Sequence, residues 1–231
     1  MIKLVAAFLM LIDHVGFILF PDFFLLRIIG RLSMPLFAYS VARSFDHLKK
    51  EPGIEGGFFK RHKKIIIQFG RLAAFAAVSQ FPFYFADMGG LNIGFTWLLS
   101  LAALVSVFLV DNIALKVLTS ACVIAAGVFI PVDYGLYGVL YPVMMYICFF
   151  RIKNVFAALG GSVLLFLLSI AAGVDAVAVI RIVAVLAVPL IDLMRKHDGS
   201  VKVNKWFFYV FYPAHIVVLV VMKELLQAHH L

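Results

Sequence analysis

Nine apolar runs separated by polar breaks leave this chain very few places to fold. They fall near residues 3–20, 25–44, 64–86, 92–110, 115–130, 134–150, 155–173, 176–194 and 205–223. A helix needs roughly 20 apolar residues to cross a bilayer, and most of the runs come close to that length; the fifth is short for a full crossing. Barrel strands would show short alternating segments instead, so helices are predicted, each closing its own backbone hydrogen bonds inside lipid. Only 14% of the 231 residues are charged and 65% are hydrophobic, too little polar surface for a soluble domain. The expectation is an all-α, polytopic membrane helical bundle with about nine transmembrane helices, forming a single domain over residues 1–231.

The basic residues test that parse. With the N-terminus cytoplasmic, the connections at 43–64, 111–116, 151–154 and 195–205 lie inside and, with Lys3, hold 15 of the 20 Lys and Arg. The opposite connections contain Asp22, Asp87, Asp133 and Asp175 and no Lys or Arg. This alternation follows the positive-inside rule and places the C-terminus outside. It also accounts for the net charge of +8 without a nucleic-acid partner, which is not expected. Lys60, Arg61, Lys63 and Lys64 are orientation signals, with anionic lipid as a second contact. Lys3 before an apolar run resembles a signal peptide, but no small-x-small cleavage site follows, so a retained first helix is expected.

Most connections span a few residues, which leaves no room for a soluble catalytic or nucleotide-binding domain. Cys122 and Cys148 both sit in apolar runs, so neither a disulfide framework nor a cysteine metal site is indicated. Chemistry must therefore use residues within or just outside the bilayer. Asp13 and His14 stand inside the first run, where ionisable groups cost several kcal/mol unless paired, so they are the leading candidates for function. Arg27 and Arg31 share one face of the second run. Counting across a turn near Pro21-Asp22 sets Asp13 and His14 level with Gly30 and Arg31, which predicts an Asp13–Arg31 ion pair. Pro35 leaves the Arg31 carbonyl without its helical donor, so a kink is expected there.

Further polar groups gather towards the outer half: Ser79, Gln80, Asn92, Thr96, Tyr134, Tyr137 and His215. Each of them either joins helices or lines a site. Arg27 and Arg181 either snorkel or serve a site, and Arg71 either snorkels or meets an anionic ligand from the cytoplasm. His14, His215 and Asp13 do not show metal-ligand spacing, and His229 and His230 belong to the tail, so no metal is expected.

Several strings occur together and in order: Asp13-His14-Val15-Gly16; Gly30-Arg31-Leu32 with Pro35-Leu36-Phe37; Arg71-Leu72 with Ser79-Gln80-x-Pro82; Leu91-Asn92-x-x-Phe95-Thr96; Asp133-Tyr134-Gly135-x-x-Gly138-Val139-Leu140; and Tyr212-Pro213-x-His215. With these the chain resembles the TraX family of F-pilin acetylation proteins, from Lys3 to about Leu219, and through it the wider transmembrane acyltransferase superfamily. The resemblance implies acetyl transfer from cytoplasmic acetyl-CoA to an acceptor amine or hydroxyl outside the membrane. It does not carry the pilin acceptor, which stays an unknown protein, peptide or glycan. It implies a bacterial cytoplasmic (inner) membrane location, His14 as the catalytic histidine with Asp13 beside it, and His215 as a second participant.

The residue chemistry is compatible with that. A histidine serves as base, or carries the acyl group, near neutral pH. Asp13 either orients His14 or stabilises its protonated form, although adjacent helix positions point about 100° apart. Arg31, Gln80, Asn92, Arg27 and Tyr134 are candidates for oxyanion or acceptor support, and Lys63, Lys64 and Arg71 for the coenzyme A phosphates. From a different class, a small proton-coupled transporter using Asp13, His14 and Arg31 is the alternative, and an assembly subunit a third.

Overall fold

The computed structural model describes residues 1–50, 62–171, 182–196 and 204–228. Arg181, Lys60, Arg61, Asp175, His229 and His230 lie outside the described residues. Within them the chain is a helical membrane bundle, and no named strand occurs. The helices are α1 (Ile2–Ile18), α2 (Phe24–Gly30), α3 (Ser33–Lys50), α4 (Lys63–Phe85), α5 (Ile93–Leu109), α6 (Ile113–Phe129), α7 (Gly135–Tyr146), α8 (Val155–Ala171), α9 (Val183–Lys196) and α10 (Lys205–Ala228). A π-helical segment, Ile147–Ile152, continues α7. Four stretches have the length and hydropathy of full spans: Phe24–Lys50, Lys63–Phe85, Gly135–Ile152 and Trp206–Ala228. Helices α5, α6 and α8, of 17 residues each, are shorter apolar segments at the lower limit for a crossing.

The second apolar run is two helices, not one. Pro35 has no N–H to offer the Arg31 carbonyl, and the chain breaks at Arg31-Leu32, where the kink was expected. Pro35 then falls in the first turn of α3, where its missing donor costs nothing. Helix α3 also runs to Lys50, six residues past the apolar limit, on a last turn carrying His47, Lys49 and Lys50 that complements the helix dipole.

The chain forms two compact units. The first takes 1–37, 78–89 and 162–231; the second takes 38–77 and 90–161. In the first unit α1 packs on α2, α9 and α10. The buried residues Ile2, Ala6, Leu9, Asp13 and Gly16 follow one another at steps of three and four, so one stripe of α1 carries Asp13 inward with the apolar core. Two glycines let α1 and α2 meet closely. A Cβ on Gly16 would fall 2.7 Å from the Leu26 Cβ, and one on Gly30 would fall 2.6 Å from the Asp13 Cα.

In the second unit α5 packs against α6 and α7. Residues 90–92 and 131–133 are tied by hydrogen bonds from the Leu91 N–H to the Pro131 carbonyl and from the Asp133 N–H to the Leu91 carbonyl, 2.8 Å each. Next to this tie Tyr134 holds φ at 62°, a left-handed conformation costing a side chain roughly 1–2 kcal/mol, and starts α7. The Thr96 hydroxyl donates to the Asp133 carbonyl at 2.6 Å and fixes the same corner from α5.

Candidate active site

Three ionisable side chains of the first unit are buried together. Asp13 is 6%, His14 9% and His215 7% exposed, so His14 faces the protein interior and not lipid. His14 stands twelve residues past the start of α1, roughly 18 Å along its axis, and His215 ten residues into α10, roughly 15 Å. Both depths are near the middle of a core about 30 Å thick.

His14 Nδ1 lies 2.6 Å from His215 Nε2. The two imidazole planes differ by only 6°, with centroids 4.9 Å apart. Parallel rings whose nearest atoms are 2.6 Å apart share nearly one plane, so they meet edge to edge along an N–H···N axis. The other nitrogen of His215, Nδ1, sits 2.7 Å from the Phe211 carbonyl one helical turn earlier. A carbonyl only accepts, so His215 Nδ1 carries a proton. Neutral His215 then offers a lone pair at Nε2, and His14 Nδ1 must be the donor to it. The remaining nitrogen of neutral His14, Nε2, is left with a free lone pair. A backbone carbonyl thus sets the tautomers of two histidines in series, the part a carboxylate plays for the histidine of a hydrolase triad.

Aromatic rings hold this pair in place. The Phe211 ring lies against His215 at 4.9 Å and 18°. Tyr212, itself buried, presents an edge-on contact to His14 at 6.0 Å and to His215 at 5.7 Å. Pro213 stands between Tyr212 and His215 within α10, so the string Tyr212-Pro213-x-His215 builds one wall of the site.

Asp13 makes a different set of contacts. Its Oδ2 accepts from Arg27 Nη1 at 2.8 Å, and the same nitrogen donates to the Asp13 backbone carbonyl at 3.1 Å. The Arg27 guanidinium also lies 4.8 Å above the Phe17 ring, one turn further along α1. The expected ion pair with Arg31 also forms, with its Nε 4.0 Å from Oδ1, too far for a hydrogen bond, and Oδ1 accepts no hydrogen bond. Counting along the sequence was right about height, since Gly30 does sit against Asp13, but an arginine reaches across a full helical turn and Arg27 takes the carboxylate. The hydrogen bonds of Asp13 go to Arg27 and that of the His14 ring to His215, so none joins the two neighbours, as the angle of about 100° between helical neighbours anticipates. Two arginines thus stand beside one aspartate.

Gln80 is half-buried in α4, two residues before Pro82. Asn92 and Tyr134 belong to the second unit. Asn92 is fully buried: its Oδ1 caps α5 by accepting from the Gly94 N–H, and its Nδ2 donates to the Ala76 carbonyl, 2.8 Å each. Lys63, Lys64 and Arg71 are all exposed on α4, with Lys64 and Arg71 seven residues apart on one face. Among the described residues no group of three metal-ligating side chains forms. The pairing of His14 with His215 and the choice of Arg27 were beyond sequence reasoning, because residues 201 apart meet only through tertiary packing.

No solved structure matches this chain. A 45-residue stretch is 40% identical to Uncharacterized protein RP591 of Rickettsia prowazekii (strain Madrid E), covering 20% of this chain and 18% of that protein. The chain therefore aligns with less than a fifth of that relative's length. The family described as TraX protein matches residues 1–223, nearly all of the sequence, and the chain belongs to the TraX family.

Proposed function

We propose that the chain is a membrane-embedded acetyltransferase that moves an acetyl group from cytoplasmic acetyl-CoA to an amine or hydroxyl at the outer side of a bacterial cytoplasmic membrane. Membership of the TraX family suggests an acetyltransferase-like role. The observation that carries the reading is the series Phe211 carbonyl, His215, His14, which leaves His14 Nε2 as a buried base.

In the proposed reaction Nε2 removes the proton from the acceptor nitrogen or oxygen as that atom adds to the thioester carbonyl. His14 is then an imidazolium whose Nδ1–H stays on His215. The tetrahedral intermediate collapses by breaking the C–S bond, and the proton on Nε2 passes to the departing sulfur. Free coenzyme A thiol and an N- or O-acetyl product result, with His14 restored. Arg27 and Arg31, both beside Asp13, are the cations that would favour the oxyanion of the intermediate. Asp13 itself is a positioning residue: through Arg27 it locks α1 to α2 and so fixes the next residue, His14. Lys63, Lys64 and Arg71 suit the phosphates of the donor. Proton-coupled transport draws less support, because Asp13 is hydrogen-bonded to Arg27 and not to His14.

Sealed liposomes test this reading. Labelled acetyl-CoA is enclosed and ethanolamine, a small probe with both an amine and a hydroxyl, is added outside. Acetylated ethanolamine or labelled acetate appearing outside supports it. Intact acetyl-CoA after incubation with correctly folded protein, or proton flux without thioester cleavage, overturns it.

A further inference from the structure

One buried oxygen of the first unit has no task in the reaction described above. Asp13 Oδ2 is taken by Arg27, but Oδ1 accepts no hydrogen bond, although the side chain is only 9% exposed. Facing it at 4.0 Å is the Nε of Arg31, and that N–H donates to no acceptor either. Arg31 interacts elsewhere as well, so the gap concerns this one N–H. A buried acceptor left unmet costs about 1–3 kcal/mol, more when it is charged, and such groups are few in native proteins. Packing does not call for it, because the bond from Arg27 to Asp13 already ties α1 to α2. Orientation does not call for it either, since Asp13 and Arg31 both lie inside apolar runs and not in a connection.

The gap has the size and polarity of one kind of group. A single oxygen about 2.8 Å from both atoms spans 4.0 Å with an angle of about 90° between its two hydrogen bonds. That oxygen must accept from the Arg31 N–H and donate to the Asp13 carboxylate. An ammonium only donates, and a carbonyl, carboxylate or phosphate oxygen only accepts. A hydroxyl does both. Gly30 belongs to the same seat, since a Cβ there would fall 2.7 Å from Oδ1 and crowd the incoming oxygen. The distance to the base follows from the helix. Side-chain ends lie roughly 5–6 Å from a helix axis and neighbours point about 100° apart, which sets Oδ1 roughly 8 Å from His14 Nε2. Two hydrogen bonds of about 2.8 Å span most of that and leave about 3 Å. With bonds of about 1.5 Å, this is the spacing of two heteroatoms on adjacent carbons.

We propose that Asp13 Oδ1 and Arg31 Nε seat a hydroxyl of the acetyl acceptor, while the amine or hydroxyl that reacts at His14 Nε2 sits on the adjacent carbon. This rests on the acetyltransferase reading above and gives its acceptor a chemical class, a vicinal amino alcohol or diol. The seated hydroxyl keeps its proton and does not react. Its two hydrogen bonds, both to charged groups, fix the neighbouring amine or hydroxyl, which gives up its own proton to Nε2. Asp13 and Arg31 are then the residues that set acceptor specificity, and the Arg31 charge still stands beside the carboxylate. A water molecule has the same donor and acceptor as the hydroxyl of the acetyl acceptor, and the two sources are separable.

The test uses the full chain in nanodiscs with acetyl-CoA as donor. Ethanolamine is compared with n-propylamine, in which a methyl replaces the hydroxyl, at equal concentrations of free amine. Wild-type kcat/KM is expected to favour ethanolamine about 10- to 100-fold, the worth of hydrogen bonds to charged groups. Arg31→Lys keeps the charge but loses the planar N–H, and Arg31→Gln loses both; each is expected to bring the preference within about threefold. A merely structural loss would slow both amines alike and leave their ratio unchanged. Equal kcat/KM for the two amines in the wild type assigns Oδ1 to water, which overturns the seat and leaves the acetyltransferase reading standing. A preference that survives both Arg31 substitutions overturns it as well. If folded protein cleaves no thioester, that reading falls, and saturation-transfer NMR of the two amines decides the seat without turnover. Hydroxyl-dependent binding that is lost in both Arg31 variants supports it. Equal binding of the two amines, or a hydroxyl preference that persists in the variants, overturns it.

Discussion

Replacing His215 with alanine removes the acceptor that holds the proton of His14 on Nδ1. The substitution breaks a 2.6 Å hydrogen bond between two rings that are each less than a tenth exposed. An N–H left buried without a partner costs about 1–3 kcal/mol. His14 avoids that cost by turning its ring or by moving the proton to Nε2, and either change takes the lone pair away from the reacting position. Regaining the reactive arrangement costs about the same amount, so kcat is expected to fall roughly 10- to 100-fold at about 1.4 kcal/mol per decade. His14→Ala, which removes the base itself, is expected to cost about 10³-fold, within the usual range for general-base catalysis. The double variant should be no slower than His14→Ala alone, since a positioning residue has nothing to act through once its target is gone. The assay is the initial rate of coenzyme A thiol release by protein in nanodiscs, with thermal unfolding as a control for folding. A His215→Ala loss of less than about threefold, or a double variant whose loss is the product of the two single losses, would refute the relay.

Other expectations follow from the same geometry. Arg27→Gln leaves the Asp13 carboxylate buried without its hydrogen-bonded partner and should destabilise the protein by about 3 kcal/mol, whereas Arg31→Gln, at 4.0 Å, should cost clearly less; thermal unfolding in detergent ranks the two. Asn92→Ala removes the α5 cap and the side-chain tie to the Ala76 carbonyl of α4, an expected loss of about 2 kcal/mol by the same measurement. A pH–rate profile should show kcat falling toward acid, because a proton added at His14 Nε2 occupies the lone pair that the reaction uses; a rate that rises toward acid would contradict the base assignment.

The helical membrane architecture was legible in the sequence because the length and hydropathy of its apolar runs report directly on bilayer thickness. The break near Arg31 was legible too, since Pro35 removes one identifiable donor. Asp13 and His14 stood out on energetic grounds alone, and both proved buried. What sequence could not supply was pairing. A rise of about 1.5 Å per residue locates a backbone, but a guanidinium reaches across a full helical turn, so the count could not separate Arg27 from Arg31. His215 was visible as an intramembrane histidine, while its bond to His14 depends on α1 meeting α10. That meeting changes the part given to Asp13: His215, not the neighbouring carboxylate, sets the His14 tautomer. The π-helical turn at Ile147–Ile152 had no signature in composition or spacing.

The central claim is that His14 Nε2 drives cleavage of an acetyl thioester. The most direct measurement is single-turnover reaction of purified protein in nanodiscs with labelled acetyl-CoA, wild type against His14→Ala of equal thermal stability. The account predicts release of coenzyme A and transfer of label by the wild type, and loss of both by about 10³-fold in the variant. Equal rates in the two proteins, or no cleavage by either under conditions where both are folded, would contradict it.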